Sequence, residues 1–346
     1  MTSRVPLHCI LPPHILEHMA QRGTDELKRM ALHALSLSGR FRGQREAIGA
    51  LAAGAPSPGG KRRTVYDAKS AEDLPGLRLR GEGEPKTGNL AADEAYDGAG
   101  DTYDLYHDVF GRNSVDDLGL RLDSTVHYGQ QYDNAFWNGR QMDYGDGDGQ
   151  MFNRFTISLD VIGHELTHGV TQYEAGLVYS GQPGALNESM SDVFGCLVKQ
   201  KKLGQTADKA DWLIGQGLLT TKVKGQALRS MAAPGTAYDD PVLGKDPQPA
   251  RMRDYVNTTS DSGGVHINSG IPNHAFYVAA TEIGGYAWEK AGKIWYVALT
   301  TLLKRRSTFQ NAANATFQVA GTLFGAGSHE QQSVSRAWAA VDINVK

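Results

Sequence analysis

The chain has 346 residues, 40% hydrophobic and 21% charged, with a formal charge of −3. That length exceeds one small core and fits two domains with an appendage. The composition is that of an ordinary globular protein. The charge gives no reason to expect nucleic acid or an anionic membrane surface as partner, and no apolar run approaches the ~20 residues that span a bilayer.

In chain order, Met1 to Ile15 makes a poor secretory signal, because His8, Pro12, Pro13 and His14 interrupt it and no small-residue cleavage site follows. Pro12-Pro13 blocks regular structure, and Leu27, Met30, Ala31, Ala34 and Leu35 then recur at helical spacing. So short a unit cannot bury a core alone, so its apolar face must dock on the rest of the chain. Ala52 to Arg63, rich in Pro and Gly and ending in three basic residues, reads as an exposed linker open to proteolysis. Short strands are expected at Thr64–Tyr66, Leu77–Arg80 and Ser124–Tyr128, with one helix from Leu90 to Phe110 closed by Gly111. From Leu159 helices dominate, including the stripe Met190, Val193, Phe194, Leu197, Val198, a helix over Ala275–Ile283 and another over Ala287–Lys304. The fold class is α+β, with a β-rich half over 64–158 and a helical half over 159–346. Clefts between such units are where ligand sites tend to lie.

Near the join stands His164-Glu165-Leu166-Thr167-His168. Residues four apart share a helix face, about 6 Å apart along the axis. Two imidazoles so placed can hold one metal ion, with Glu165 beside them to take a proton from an activated water. A catalytic zinc takes three protein ligands and keeps one position open. Glu188, at the start of the next helix, is a candidate third ligand, and Asp192, one turn on, can bond the second ring nitrogen of a histidine. The alternative at this point is an acidic helix start favoured by the helix dipole.

These motifs carry a resemblance. His164–His168, then Glu174-Ala175-Gly176-Leu177, then Gly184–Asp192 resemble the zinc site of thermolysin-like neutral metalloproteases. Asn134–Gly139, Tyr144–Gly149, Ala227–Met231 and Gly263–Gly270 continue it in order, so that it covers residue 64 to the C-terminus. The resemblance implies a two-domain zinc endopeptidase with one Zn2+ held by His164, His168 and Glu188, and Glu165 as general base. It implies that Asp192 orients a ligating histidine, and that Tyr179 and His266, the latter held by Asp261, donate to the tetrahedral oxyanion. Arg229 matches the group holding the carbonyl past the cleaved bond. Asn134 and the Ala135 backbone match groups that bind peptide main chain. Phe152, Phe155, Val161 and Leu228 match a pocket for a large apolar side chain after the cleaved bond, with Phe155 bulkier than the expected leucine.

Calcium-dependent members carry carboxylates around the helix after the third ligand. Here Asp160 and Asp211 match that cluster, but Lys199, Leu213 and Gln216 replace acids. Calcium wants six to eight oxygen ligands, so the double site is expected to be lost, with the Lys199 ammonium between Asp160 and Asp211. Asp143, Asp146 and Asp148 are read as a tight strand connection rather than a calcium loop. Pro6 to Leu16 resembles the short propeptide of protealysin-like members. It implies that residues 1–55 sit in the catalytic cleft of a zymogen and are removed through the 56–63 linker. Cys9 is then either a thiolate on the open zinc position or a small packing residue, and Cys196 an inert core residue. Two alternatives to the endopeptidase are a turnover-free binding module of the same fold and a zinc aminopeptidase. Export without an ordinary leader is expected, with a cytoplasmic role as the alternative.

Overall fold

The computed structural model describes residues 8–41 and 59–346. The expected linker up to residue 58, and the first seven residues, lie outside the described residues.

The described strands β1 (His8–Cys9), β2 (Arg63–Asp67), β3 (Leu77–Gly81), β4 (Leu122–Val126), β5 (Ala135–Trp137) and β6 (Met142–Tyr144) form one sheet in the order β1-β5-β6-β4-β2-β3. β2 and β4 run parallel, as do β4 and β6, whereas β5 is antiparallel to β6. The two-residue β1 caps the edge at β5, antiparallel, with Cys9 opposite Phe136. An edge strand presents unpaired N–H and C=O groups, and here the N-terminal unit takes them up.

Helix α1 (Pro13–Arg22) and helix α2 (Asp25–Phe41) make up that unit. Pro13 opens α1 rather than blocking it. At the first helical position its missing N–H costs nothing and its fixed φ suits the helix. Ile15, Leu16 and Met19 of α1 and Leu27, Ala31 and Ala34 of α2 are buried, the apolar face that cannot stand alone. Helix α3 (Leu90–Phe110) has the expected bounds. The Asn89 side chain accepts from Ala92 N at 3.1 Å at its start, and Gly111, at φ 71°, closes it.

The site is built on α4 (Leu159–Tyr173) and α5 (Gly181–Leu203). They cross where neither has a side chain. A Cβ on Gly195 would lie 2.3 Å from the Asp160 carbonyl oxygen, and one on Gly163 would lie 3.0 Å from the Gly195 Cα. That backbone contact, beside His164 and one turn past Asp192, sets the two helices at side-chain reach. Helices α6 (Asp261–Asn268), α7 (Gly270–Ile283), α8 (Ala291–Val297), α9 (Phe309–Phe324) and α10 (His329–Ala340) complete the C-terminal half. The single helix expected over Ala287–Lys304 is broken. Residues 287–290 form turns, and α8 runs into a π-turn over Ala298–Leu302, where Leu303 N donates to Ala298 O at 2.9 Å. The apolar spacing there continues through a local over-wide turn that periodicity does not report.

Candidate active site

His164 and His168 lie one turn apart on α4, both fully buried, with ring centroids 4.6 Å apart. Their Nε2 atoms face each other at 3.0 Å. Glu188 on α5 completes the group, Oε2 at 3.4 Å from His164 Nε2 and Oε1 at 3.4 Å from His168 Nε2. The three ligating atoms lie within 4.8 Å of one another. Glu188 Oε2 is buried with no hydrogen-bond partner. A buried carboxylate oxygen without a donor is costly, and two imidazole nitrogens with a carboxylate are a donor set suited to zinc. The residues fit the ion.

The outer ring of contacts fixes each ligand. His164 Nδ1 donates to Asp192 Oδ1 at 2.8 Å, leaving Nε2 toward the cluster. Asp192 also accepts from Arg229 Nε and Nη2, each at 2.8 Å, and from Asn273 Nδ2 at 2.8 Å. Burial pushes the Asp192 carboxyl up, but Arg229 and His164 outweigh it and hold it at about 2. His168 Nδ1 meets Asn187 Oδ1 at 2.8 Å and Ser191 Oγ at 3.0 Å. Tyr179 OH donates to Glu188 Oε1.

Glu165 is fully buried, and its Oε2 accepts from Trp137 N at 3.0 Å, which ties the expected base to strand β5. His266 is reached through a strained approach. Asp261, Ser262, Gly263 and Gly264 all have φ between 49° and 88°, a left-handed path that two glycines ease. The path folds Asp261 back on its own helix, where Oδ2 accepts from His266 N at 2.8 Å and Oδ1 from His266 Nδ1 at 2.7 Å. Burial pulls the His266 imidazole down, but Asp261 and Glu188 lift it to about 9. Its Nε2 lies 3.1 Å from Tyr179 OH.

The N-terminal segment passes through this centre. His266 Nε2 donates to the Cys9 carbonyl oxygen at 3.0 Å, and Ile10 N donates to Ala135 O at 3.2 Å. Arg229 Nη1 donates to Ile10 O at 3.1 Å, and Leu11 N donates to Asn134 Oδ1 at 3.0 Å. Cys9 is buried, but the three-residue ligand cluster does not include its thiol. Phe152, Phe155 and Val161 are fully buried and Leu228 is 1% exposed; the Phe152 and Phe155 rings stand 5.9 Å apart.

Sequence reasoning missed Asn187, Ser191, Asn273 and Gln248, whose Nε2 donates to His266 O at 2.7 Å. Asn187 and Ser191 lie within the Gly184–Asp192 motif and had a signal in their place beside Glu188. Asn273 and Gln248 had none. Lys199 sits where expected, Nζ at 2.8 Å from Asp160 Oδ2 and 2.9 Å from Asp211 Oδ1, and it also donates to Leu213 O at 2.7 Å. Asp143, Asp146 and Asp148 do not converge. Asp143 accepts from Asn138 and Gln141, Asp146 meets His127 Nδ1 at 2.8 Å, and Asp148 Oδ1 accepts the backbone N–H of Gln150, Met151 and Phe152. Cys196 is buried, and burial pushes its thiol up to about 12, an inert group.

Comparison with known proteins agrees with this geometry. Residues 66–172 match the catalytic domain, and residues 175–343 the alpha-helical domain, of the thermolysin metallopeptidases. An extracellular metalloprotease of Pectobacterium carotovorum subsp. carotovorum is 51% identical over 352 residues, covering 100% of this chain and 99% of that protein. A thermolysin of Alicyclobacillus acidocaldarius is 43% identical, over 81% of this chain and 50% of that protein. The structure of the precursor of protealysin, a metalloproteinase from Serratia proteamaculans, is similar with a TM-score of 0.89 and 52% identity, over 97% of this chain and 99% of that one. The chain belongs to the thermolysin family of metallopeptidases.

Proposed function

We propose that the chain is the latent form of a zinc endopeptidase, in which the N-terminal propeptide, residues 1–55, blocks the substrate cleft through Cys9–Leu11. The observation that carries this is the order of contacts along Cys9, Ile10 and Leu11. Carbonyl, N–H, carbonyl and N–H meet His266, Ala135, Arg229 and Asn134 in turn. On this reading the Cys9–Ile10 bond takes the position of a substrate bond, with Ile10 as the residue after it.

Zinc, when bound to His164, His168 and Glu188, supplies Lewis acidity for water attack on the amide. Glu165, oriented by Trp137 N, takes the water's proton and passes it to the leaving amine nitrogen. Charge builds on the former carbonyl oxygen, and His266 Nε2 and Tyr179 OH donate to it. Asp261 keeps the His266 ring in place for that donation. Arg229 holds the next carbonyl, and Asn134 and Ala135 align the main chain as an added strand beside β5. The Phe152, Phe155, Val161 and Leu228 pocket selects a large apolar side chain after the cut bond.

The binding-module alternative leaves unexplained a base held on a backbone N–H. The aminopeptidase alternative conflicts with chain on both sides of the bond, since His8 pairs with Trp137 upstream of Cys9. Release follows cleavage within or near 56–63, and the mature enzyme acts outside the cell, as the relative from Pectobacterium is named to do. Lys199 replaces calcium between Asp160 and Asp211.

Casein hydrolysis by the processed chain, absent from the intact chain and lost on chelation or in Glu165→Ala, is the expected result. Equal activity of intact and processed chains overturns the latent reading. Cys9→Ser separates the two roles of that residue. Unchanged latency assigns the block to the main chain, and lost latency assigns it to the thiol.

A further inference from the structure

We infer that α1 is an acid-sensitive latch, in which protonation of His14 loosens the N-terminal unit from the cleft. This concerns the regulation of the site and rests on the latent-enzyme reading above. His14 and His18 stand one turn apart on α1, ring centroids 6.4 Å apart, and both reach the catalytic half. His14 Nε2 meets Tyr238 OH at 3.0 Å, and His18 Nδ1 donates to Leu243 O at 2.9 Å. His18 packs closely on the Gly244 backbone, where a Cβ would fall 2.2 Å from its Nδ1.

The two rings respond differently to a proton. His18 donates through Nδ1 in either charge state, so its bond survives protonation. His14 Nδ1 is buried without a partner, so a proton there has no acceptor. The charged and titratable groups facing His14 are Asp261, His266, His18 and Arg229, with Tyr238 on its other nitrogen. Three of these are basic, and Asp261 is already engaged with His266. Burial first, then His266, His18 and Arg229, pull His14 from the ordinary 6.5 down to about 4, against Asp261. A group whose docked pKa is depressed lends its full support above the free value and loses it as pH falls toward the docked one. Docking is therefore full above about pH 6.5 and weakens tenfold per unit below it, down toward about pH 4. His33 Nε2 of the same unit lies 3.1 Å from Glu72, but that pair is half exposed and contributes little.

The test is hydrogen exchange across α1 in the zinc-loaded, full-length chain carrying Glu165→Gln, which keeps the N-terminal unit attached without relying on peptidase activity. After correction for intrinsic rates, opening of Pro13–Arg22 should rise about tenfold from pH 7.5 to 5.5 while α9 stays unchanged. His14→Gln, which keeps an amide toward Tyr238, should flatten that rise. A flat profile in the parent, or the same rise in His14→Gln, overturns the latch. If Gln fails to hold α1 at pH 7.5, His18→Gln decides it: a retained rise assigns the response to His14, and a lost rise overturns it.

Discussion

Arg229 Nη1 donates to the Ile10 carbonyl at 3.1 Å across 219 positions of sequence, while the same guanidinium grips Asp192 through Nε and Nη2. One side chain thus joins the blocking segment, the cleft wall and, through Asp192, the histidine that faces the metal position. Lysine cannot do this, because its point charge lacks the planar fork. In Arg229→Lys the processed enzyme should lose roughly 10- to 100-fold in kcat/KM, the equivalent of one charge-assisted hydrogen bond of about 1.5–3 kcal/mol. Steady-state kinetics on a peptide substrate checks this, and an unchanged kcat/KM removes Arg229 from the cleft.

Asp192 fixes which nitrogen of His164 faces the cluster. Asp192→Asn should lower zinc affinity by about 10- to 100-fold, as loss of such an outer partner does. Competition with a chromophoric chelator measures it.

The Gly163–Gly195 crossing sets the distance between the histidine helix and Glu188. Gly195→Ala places a methyl 2.3 Å from the Asp160 carbonyl, so α4 and α5 must part. A stability loss of roughly 1–3 kcal/mol is expected, as for other overpacked cores, together with weaker zinc binding. Thermal unfolding and metal titration on the same sample test the pair. A methyl accepted with neither change contradicts the proposed close contact.

Lys199 is ion-paired with the fully buried Asp160 and with Asp211. Lys199→Met leaves a buried carboxylate uncompensated and should cost roughly 3–5 kcal/mol. On the proposal that the Lys199 ammonium takes the place of the ion, calcium should leave the Tm of the unaltered chain where it is. A calcium-dependent rise in that Tm, with stoichiometric calcium by elemental analysis, contradicts this.

Much of the site was legible because its residues are local in sequence. His164 and His168 share one helix face with Glu165 beside them, and Glu188 and Asp192 share a face of the next helix. The α3 boundaries were legible for a similar reason, an Asn cap and a left-handed glycine. Pro13 was misread because the residue that forbids a helix interior also favours its first turn. The π-turn over Ala298–Leu302 was hidden because apolar spacing persists through it. Asn273 and Gln248 reach the site only through tertiary packing, and nothing beside them in the chain announces it. The contact of His14 with Tyr238, 224 positions away, is of the same kind.

The most direct measurement uses an internally quenched peptide blocked at both ends, carrying a leucine after a single cleavable bond. It is given to the processed chain, with and without chelator, beside Glu165→Gln. Cleavage before the leucine is expected, lost with chelator and reduced about 10²- to 10⁴-fold in Glu165→Gln, the usual contribution of a positioned general base, while zinc stays bound. No cleavage of the blocked peptide, or an undiminished rate in Glu165→Gln, contradicts a zinc endopeptidase that uses Glu165 as its base.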